Sequence, residues 1–166
     1  MSIQVGDNLP QATFRIMTPE GPVAKTTDDL FKGRKVVLVA VPGAFTPTCH
    51  RNHLPGYVEK LPAIKAKGVD AVIVTAVNDV FVMDAWAKAS GGDGKVEFLA
   101  DGNGDFAKAL GLTLDASGNG LGVRSKRYSM VVDDGVVKSL NIEETAGKAD
   151  TSGADNLLRT MDAISS

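Results

Sequence analysis

Apolar residues in this chain fall into two kinds of run, and each predicts an element. KVVLVAV, Lys35 to Val41, is unbroken and rich in β-branched side chains, and it stops at Pro42-Gly43, which predicts a strand covered on both faces. DAVIVTAV, Asp70 to Val77, predicts a second such strand. Between them, within Thr48 to Lys67, Leu54, Val58, Leu61 and Ile64 recur at helical spacing, while Pro55-Gly56 and Pro62 interrupt, so a helix broken or kinked near Pro55 is expected. Asn78 is the expected N-cap of a helix through about Ala89, with Val82, Ala85, Trp86 and Ala89 on its apolar face, ended by Gly91-Gly92-Asp93-Gly94.

The pattern continues with a short strand at Val96 to Ala100, a short helix at Asp105 to Leu110 closed by Gly111, and a glycine-rich loop. Arg127 to Val132 and Val136 to Leu140 flank Asp133-Asp134-Gly135, a hairpin signal. A last helix is expected from Ser152 through Leu157, Leu158, Met161 and Ile164, and a small hairpin near the start pairs Ala12 to Ile16 with Val23 to Ala24. Alternation of strand and helix followed by a hairpin and a helix predicts an α/β fold, a central mixed sheet flanked by helices, its first two long strands parallel by the right-handed crossover rule. This order resembles that of thioredoxin-like folds. No repeat, low-complexity segment or linker divides the chain, and residues 1–166 read as one domain.

Composition narrows the function classes. With 166 residues, 43% hydrophobic and a formal charge of −2, the chain can bury a sizeable core, and its dispersed Lys and Arg form no basic stripe for nucleic acid or an anionic membrane. No apolar run is long enough to span a bilayer, and no signal peptide is evident. The single cysteine, Cys49, rules out an internal disulfide framework and suits a reducing compartment, so a cytoplasmic location is expected.

A lone cysteine serves either as an inert small hydrophobe or as a reactive thiol. The local sequence favours reactivity. Cys49 falls in the first turn of the helix after the first core strand, where unpaired N–H groups and the helix dipole stabilise a thiolate and lower the pKa from its free value of about 8.5. Thr46 offers a hydroxyl three residues upstream, and Pro42 and Pro47 stiffen the loop that presents both. Metal binding fails on ligand count: His53, four residues after Cys49, and His50 are the only histidines, and no carboxylates cluster with them, so no metal is expected. There is no Cys-x-x-Cys, and the glycines between Gly102 and Gly122 form no nucleotide fingerprint.

Pro42-Gly43-Ala44-Phe45-Thr46-Pro47-Thr48-Cys49 resembles the Pro-x-x-x-Thr-x-x-Cys motif of peroxiredoxins, in the form found in the subgroup of plant type II enzymes and the mammalian atypical two-cysteine member. Similarity extends through His53-Leu54-Pro55-Gly56, Val77-Asn78-Asp79, Leu99-Ala100-Asp101 and Gly122-Val123-Arg124-Ser125-Lys126-Arg127-Tyr128-Ser129. The resemblance implies the peroxiredoxin variant of the thioredoxin-like fold and reduction of hydrogen peroxide or alkyl hydroperoxides by a cysteine thiolate, with no metal or organic cofactor. It makes Cys49 the nucleophile and Thr46 its hydrogen-bonding partner. Pro42 becomes the shield of the thiolate, Gly43 and Thr48 substrate contacts, and Arg127 the cation facing the reacting oxygens. His53 and Arg124 stand as auxiliary candidates.

The chain departs from the subgroup where a second, resolving cysteine would lie: those positions hold Val74 and Thr151. The resemblance therefore implies a one-cysteine enzyme recycled by an external thiol, either glutathione with glutaredoxin or thioredoxin, and a homodimer joined through the active-site face. Two further readings stand beside it: a peroxide sensor or redox relay passing oxidation to a partner protein, and a chaperone-like holdase.

Overall fold

Both unbroken apolar runs form neighbouring strands in the middle of one sheet. The computed structural model describes residues 2–46, 53–143 and 151–165. Along the chain lie β1 (Thr13–Thr18), β2 (Gly21–Thr26), α1 (Thr27–Phe31), β3 (Lys35–Val41), α2 (Leu54–Glu59), α3 (Leu61–Lys65), β4 (Ala71–Ala76) and α4 (Val80–Ser90). Then follow β5 (Glu97–Ala100), α5 (Asp105–Leu110), β6 (Thr113–Asp115), β7 (Val123–Ser125), β8 (Tyr128–Asp133), β9 (Val136–Ile142) and α6 (Ala154–Ser165). The main sheet is seven-stranded, in the order β2-β1-β5-β4-β3-β8-β9. β3 and β4 are parallel, Val36 opposite Ala71 through Val41 opposite Ala76, and β8 runs antiparallel to β3, Lys35 opposite Asp133 through Ala40 opposite Tyr128. This is the mixed sheet of a thioredoxin-like fold.

Alternation along β3 divides the core. Val37, Val39 and Val41 join Tyr57, Ile64, Trp86 and Met161 beneath α2, α3, α4 and α6, while Val36, Leu38 and Ala40 join Leu30, Phe31, Phe106 and Leu110 of α1 and α5. Each such Val, Leu, Ile, Phe or Met side chain, moved out of water, stabilises the fold by roughly 1.5–3 kcal/mol, so β3 is anchored from both faces and its C-terminal end is a rigid platform.

Several elements differ from the sequence pattern. After β3 the described helix divides at Lys60 into α2 and α3, with Pro55 and Pro62 in their first turns; His53, just before α2, is itself in helical conformation, and the residues before it lie outside the described ones. Asp79, not Asn78, caps α4: its Oδ1 accepts from Val82 N at 2.9 Å. The buried face of α4 is Val80, Met83, Trp86 and Ala87, with Ala85 and Ala89 exposed. α1 was not evident from apolar spacing; a reciprocal capping box between Thr26 and Asp29 starts it. Strands β6 and β7 pair within the glycine-rich region expected to be loop. The β8–β9 turn places Asp134 and Gly135 at φ 50° and 80°, the left-handed pair that a two-residue hairpin with the twist of its strands requires.

At the outer side of β9 the N-terminal segment runs alongside, with Gly6 N donating to Val137 O at 2.8 Å and Val137 N to Asp7 O at 2.9 Å. The opposite outer strand, β2, carries Pro22 and Lys25.

Candidate active site

The turn that leaves β3 is held by one contact within itself and by two from distant parts of the chain. Thr46 Oγ1 donates to Gly43 O at 2.7 Å, closing the turn on itself. Asn78, just past β4, accepts at Oδ1 from Ala44 N at 2.9 Å, so the residue that periodicity assigns to a helix cap instead ties the ends of β3 and β4 together. Arg124 on β7 donates from Nε to Leu121 O at 2.9 Å and extends Nη1 to Pro42 O at 3.4 Å. Gly43 is closely packed: a Cβ there would stand 3.0 Å from Thr46 Cγ2 and 3.1 Å from Arg124 Nη1. Phe45 takes φ 65°, a left-handed conformation that side chains avoid.

On the other side of β3, Arg127 immediately precedes Tyr128, the β8 residue that pairs with Ala40. Arg127 is only 3% exposed, and its Nη1 donates to His53 Nδ1 at 3.0 Å. A guanidinium can only donate, so Nδ1 carries no proton and the ring is the Nε2–H tautomer. That Nε2–H donates to Ser152 O at 3.0 Å, and Tyr57 Oη donates to the same carbonyl at 2.5 Å. Glu143 Oε1 accepts from Ser152 N at 2.8 Å and Ser152 Oγ at 3.1 Å, and Glu143 N donates to Arg127 O at 2.9 Å. Burial, reinforced by the Arg127 charge, lowers the His53 pKa to about 3, so the imidazole stays neutral. Burial also raises the Tyr57 phenol, which stays protonated as a donor.

Of the residues singled out from sequence, Pro42, Gly43, Thr46 and Arg124 meet around the β3 turn, and Arg127 and His53 meet beside the strand's end. Cys49 and Thr48 lie outside the described residues, as does the expected first helical turn around Cys49. Val74 is buried within β4 and Thr151 is exposed just before α6. Asn78, Tyr57, Glu143 and Ser152 were missed by sequence reasoning; their partners are remote in the chain, and only a capping preference for Asn78 gave any signal. Among the described residues no group of three His, Cys, Asp or Glu side chains could hold a metal ion, and no helix is long and apolar enough to cross a membrane. Two cavities lie away from this turn, one of about 190 Å³ between β1, α4 and β5 and one of about 320 Å³ lined by Arg15, Asp79, Asp101 and Asp105.

Comparisons with known proteins converge. The Redoxin family matches residues 4–158. Peroxiredoxin-2E-2, chloroplastic, of Oryza sativa subsp. japonica is 50% identical over 165 residues, covering 96% of this chain and 73% of that protein. Peroxiredoxin-2B of Arabidopsis thaliana is 42% identical over 160 residues, covering 96% of this chain and 98% of that protein. The crystal structure of reduced Prx3 from Vibrio vulnificus, in complex with H2O2, superposes with a TM-score of 0.91 at 47% identity, covering 96% of this chain and 99% of that one.

Proposed function

Because the chain belongs to the peroxiredoxins, a family of thiol peroxidases, we propose that Cys49 is its peroxidatic nucleophile and that the residues around the β3 turn prepare the peroxide for attack. The Cys49 thiolate attacks one oxygen of a hydroperoxide; the S–O bond forms as the O–O bond breaks, and the leaving oxygen departs as water or an alcohol once it has taken a proton. Sulfur is oxidised to a sulfenic acid and the peroxide is reduced. Thr46, whose hydroxyl proton is directed to Gly43 O, offers its lone pairs to the peroxide O–H. Pro42 shields the sulfur, and Gly43 and Thr48 line the approach. Arg127 supplies a permanent cation to the oxygens where negative charge develops.

The observation that supports this most directly is the burial of Arg127 one residue before Tyr128, which pairs with Ala40 near the end of the strand whose following turn carries Thr46. Arg124, gripping Pro42 O, acts as a brace of the turn.

Recycling needs an outside thiol, because the chain has one cysteine. A thiol condenses with the sulfenic acid, releasing water and leaving a mixed disulfide; a second thiol then attacks that disulfide and frees Cys49. Glutathione is small enough for a narrow site, with glutaredoxin resolving the adduct, and thioredoxin is the competing donor. The exposed Phe45 of the turn, and Phe81, Leu121 and Val123 near the residues Asn78 and Arg124 that contact it, support a homodimer through the active-site face. A reducing compartment such as the cytoplasm suits the lone thiol.

The test is peroxide consumption with glutathione plus glutaredoxin, against thioredoxin plus its reductase, together with stopped-flow oxidation of Cys49. Cys49→Ser should abolish turnover, and Thr46→Val should slow oxidation by about 10²- to 10³-fold while Thr46→Ser is milder. Mass spectrometry after one equivalent of peroxide with glutathione should show the glutathione adduct. Turnover by thioredoxin alone would replace the donor, and fast oxidation without turnover by any donor would favour a sensor.

A further inference from the structure

We infer that His53 is a positioning residue for Arg127: its unprotonated Nδ1 aims one arm of the guanidinium, and the Ser152 carbonyl fixes the ring tautomer that makes this acceptor available. The inference rests on the reading of Arg127 given above. His53 is 1% exposed and uses both ring nitrogens, Nδ1 toward Arg127 and Nε2–H toward Ser152 O, each at 3.0 Å. A residue that only filled this space could be a leucine; a buried ring with both polar atoms matched has a directional role. Its plane is set by an edge contact with Tyr57, centroids 5.6 Å apart at 66°.

The chemistry of the acceptor matters as much as its position. A carboxylate would hold the same arm more strongly, but it would offset the positive charge that the reaction uses. A neutral imidazole lone pair orients the guanidinium without adding a counter-charge of its own. The neutral state is secured from several sides: burial and the Arg127 charge oppose a second ring proton, while Tyr57 Oη shares the Ser152 carbonyl and Glu143 holds Ser152 by its N–H and hydroxyl. Side chains from α2, from the end of β9 and from the start of α6 thus converge on the orientation of one cation.

The experiment is a double-mutant cycle on the second-order rate of Cys49 oxidation by hydrogen peroxide. His53→Leu removes both contacts; His53→Gln can still reach Ser152 but loses the acceptor at Nδ1; His53→Asn keeps an acceptor there. Loss of alignment at a reacting centre costs up to about 10²-fold, so His53→Leu and His53→Gln should be roughly 10- to 100-fold slow, with His53→Asn nearest wild type. In an Arg127→Gln background the His53 losses should vanish, which a merely structural role would not produce. Nitrogen-15 spectra of the imidazole should show the Nε2–H tautomer in wild type at neutral pH. Equal fold-losses in both backgrounds, or an Nδ1–H or doubly protonated ring, overturn the inference while leaving a slow Arg127→Gln to uphold the role of Arg127. A wild-type rate in Arg127→Gln overturns both. Should His53→Leu fail to fold, the Asn and Gln variants complete the cycle.

Discussion

An imidazole free in water titrates near 6.5, whereas His53 is held to about 3 by burial first and by the Arg127 charge second. Between those values the unfolded chain binds a proton that the folded chain refuses. The stability associated with neutral His53 is therefore complete above the unfolded pKa and is lost as pH falls toward the folded one, at about 1.4 kcal/mol per pH unit. Urea unfolding of the wild type and His53→Asn between neutrality and mild acid should show a shallower acid loss in the variant; identical slopes would mean that His53 titrates normally. Little of this residue's role was legible beforehand. Pro42, Thr46 and Cys49 announce themselves because they fall within eight consecutive residues, and Arg127 is reached by resemblance. His53 looks like one more polar position on a helix until Ser152, ninety-nine residues away, appears at its ring nitrogen.

Neighbouring residues Asn78 and Asp79 separate two duties at the scale of the element. Asp79 caps α4, so Asp79→Ala should cost about 1 kcal/mol of stability and leave the rate of Cys49 oxidation unchanged. Asn78 anchors Ala44, so Asn78→Ala should slow oxidation more than it lowers the melting temperature. Calorimetry beside stopped-flow kinetics checks the pair, and the reverse pattern would return the cap to Asn78. Elements with long apolar runs were legible because their pattern is their burial: β3 matches its expected bounds, and α5 with its Gly111 cap does too. Those defined by a few polar bonds were not. α1 depends on the Thr26–Asp29 box, and the three-residue strands β6 and β7 are too short to show any alternation.

For the whole molecule, large apolar side chains stay exposed on the β3 turn and on α4, with Phe45 46% and Phe81 65% exposed. If they meet a second copy, Phe81→Asp should shift sedimentation from dimer to monomer, and a wild-type protein that sediments as a monomer would end that proposal. The outer strands bear on the same question from the opposite direction. β2 bears Pro22, which has no N–H to give, and a charged Lys25, while the first part of β9 already exchanges backbone bonds with Gly6 and Asp7. Sheet growth by strand addition is therefore discouraged at both margins, so copies of this protein are steered away from edge-to-edge aggregation and toward contacts made by side chains, which can form and separate without rebuilding the sheet.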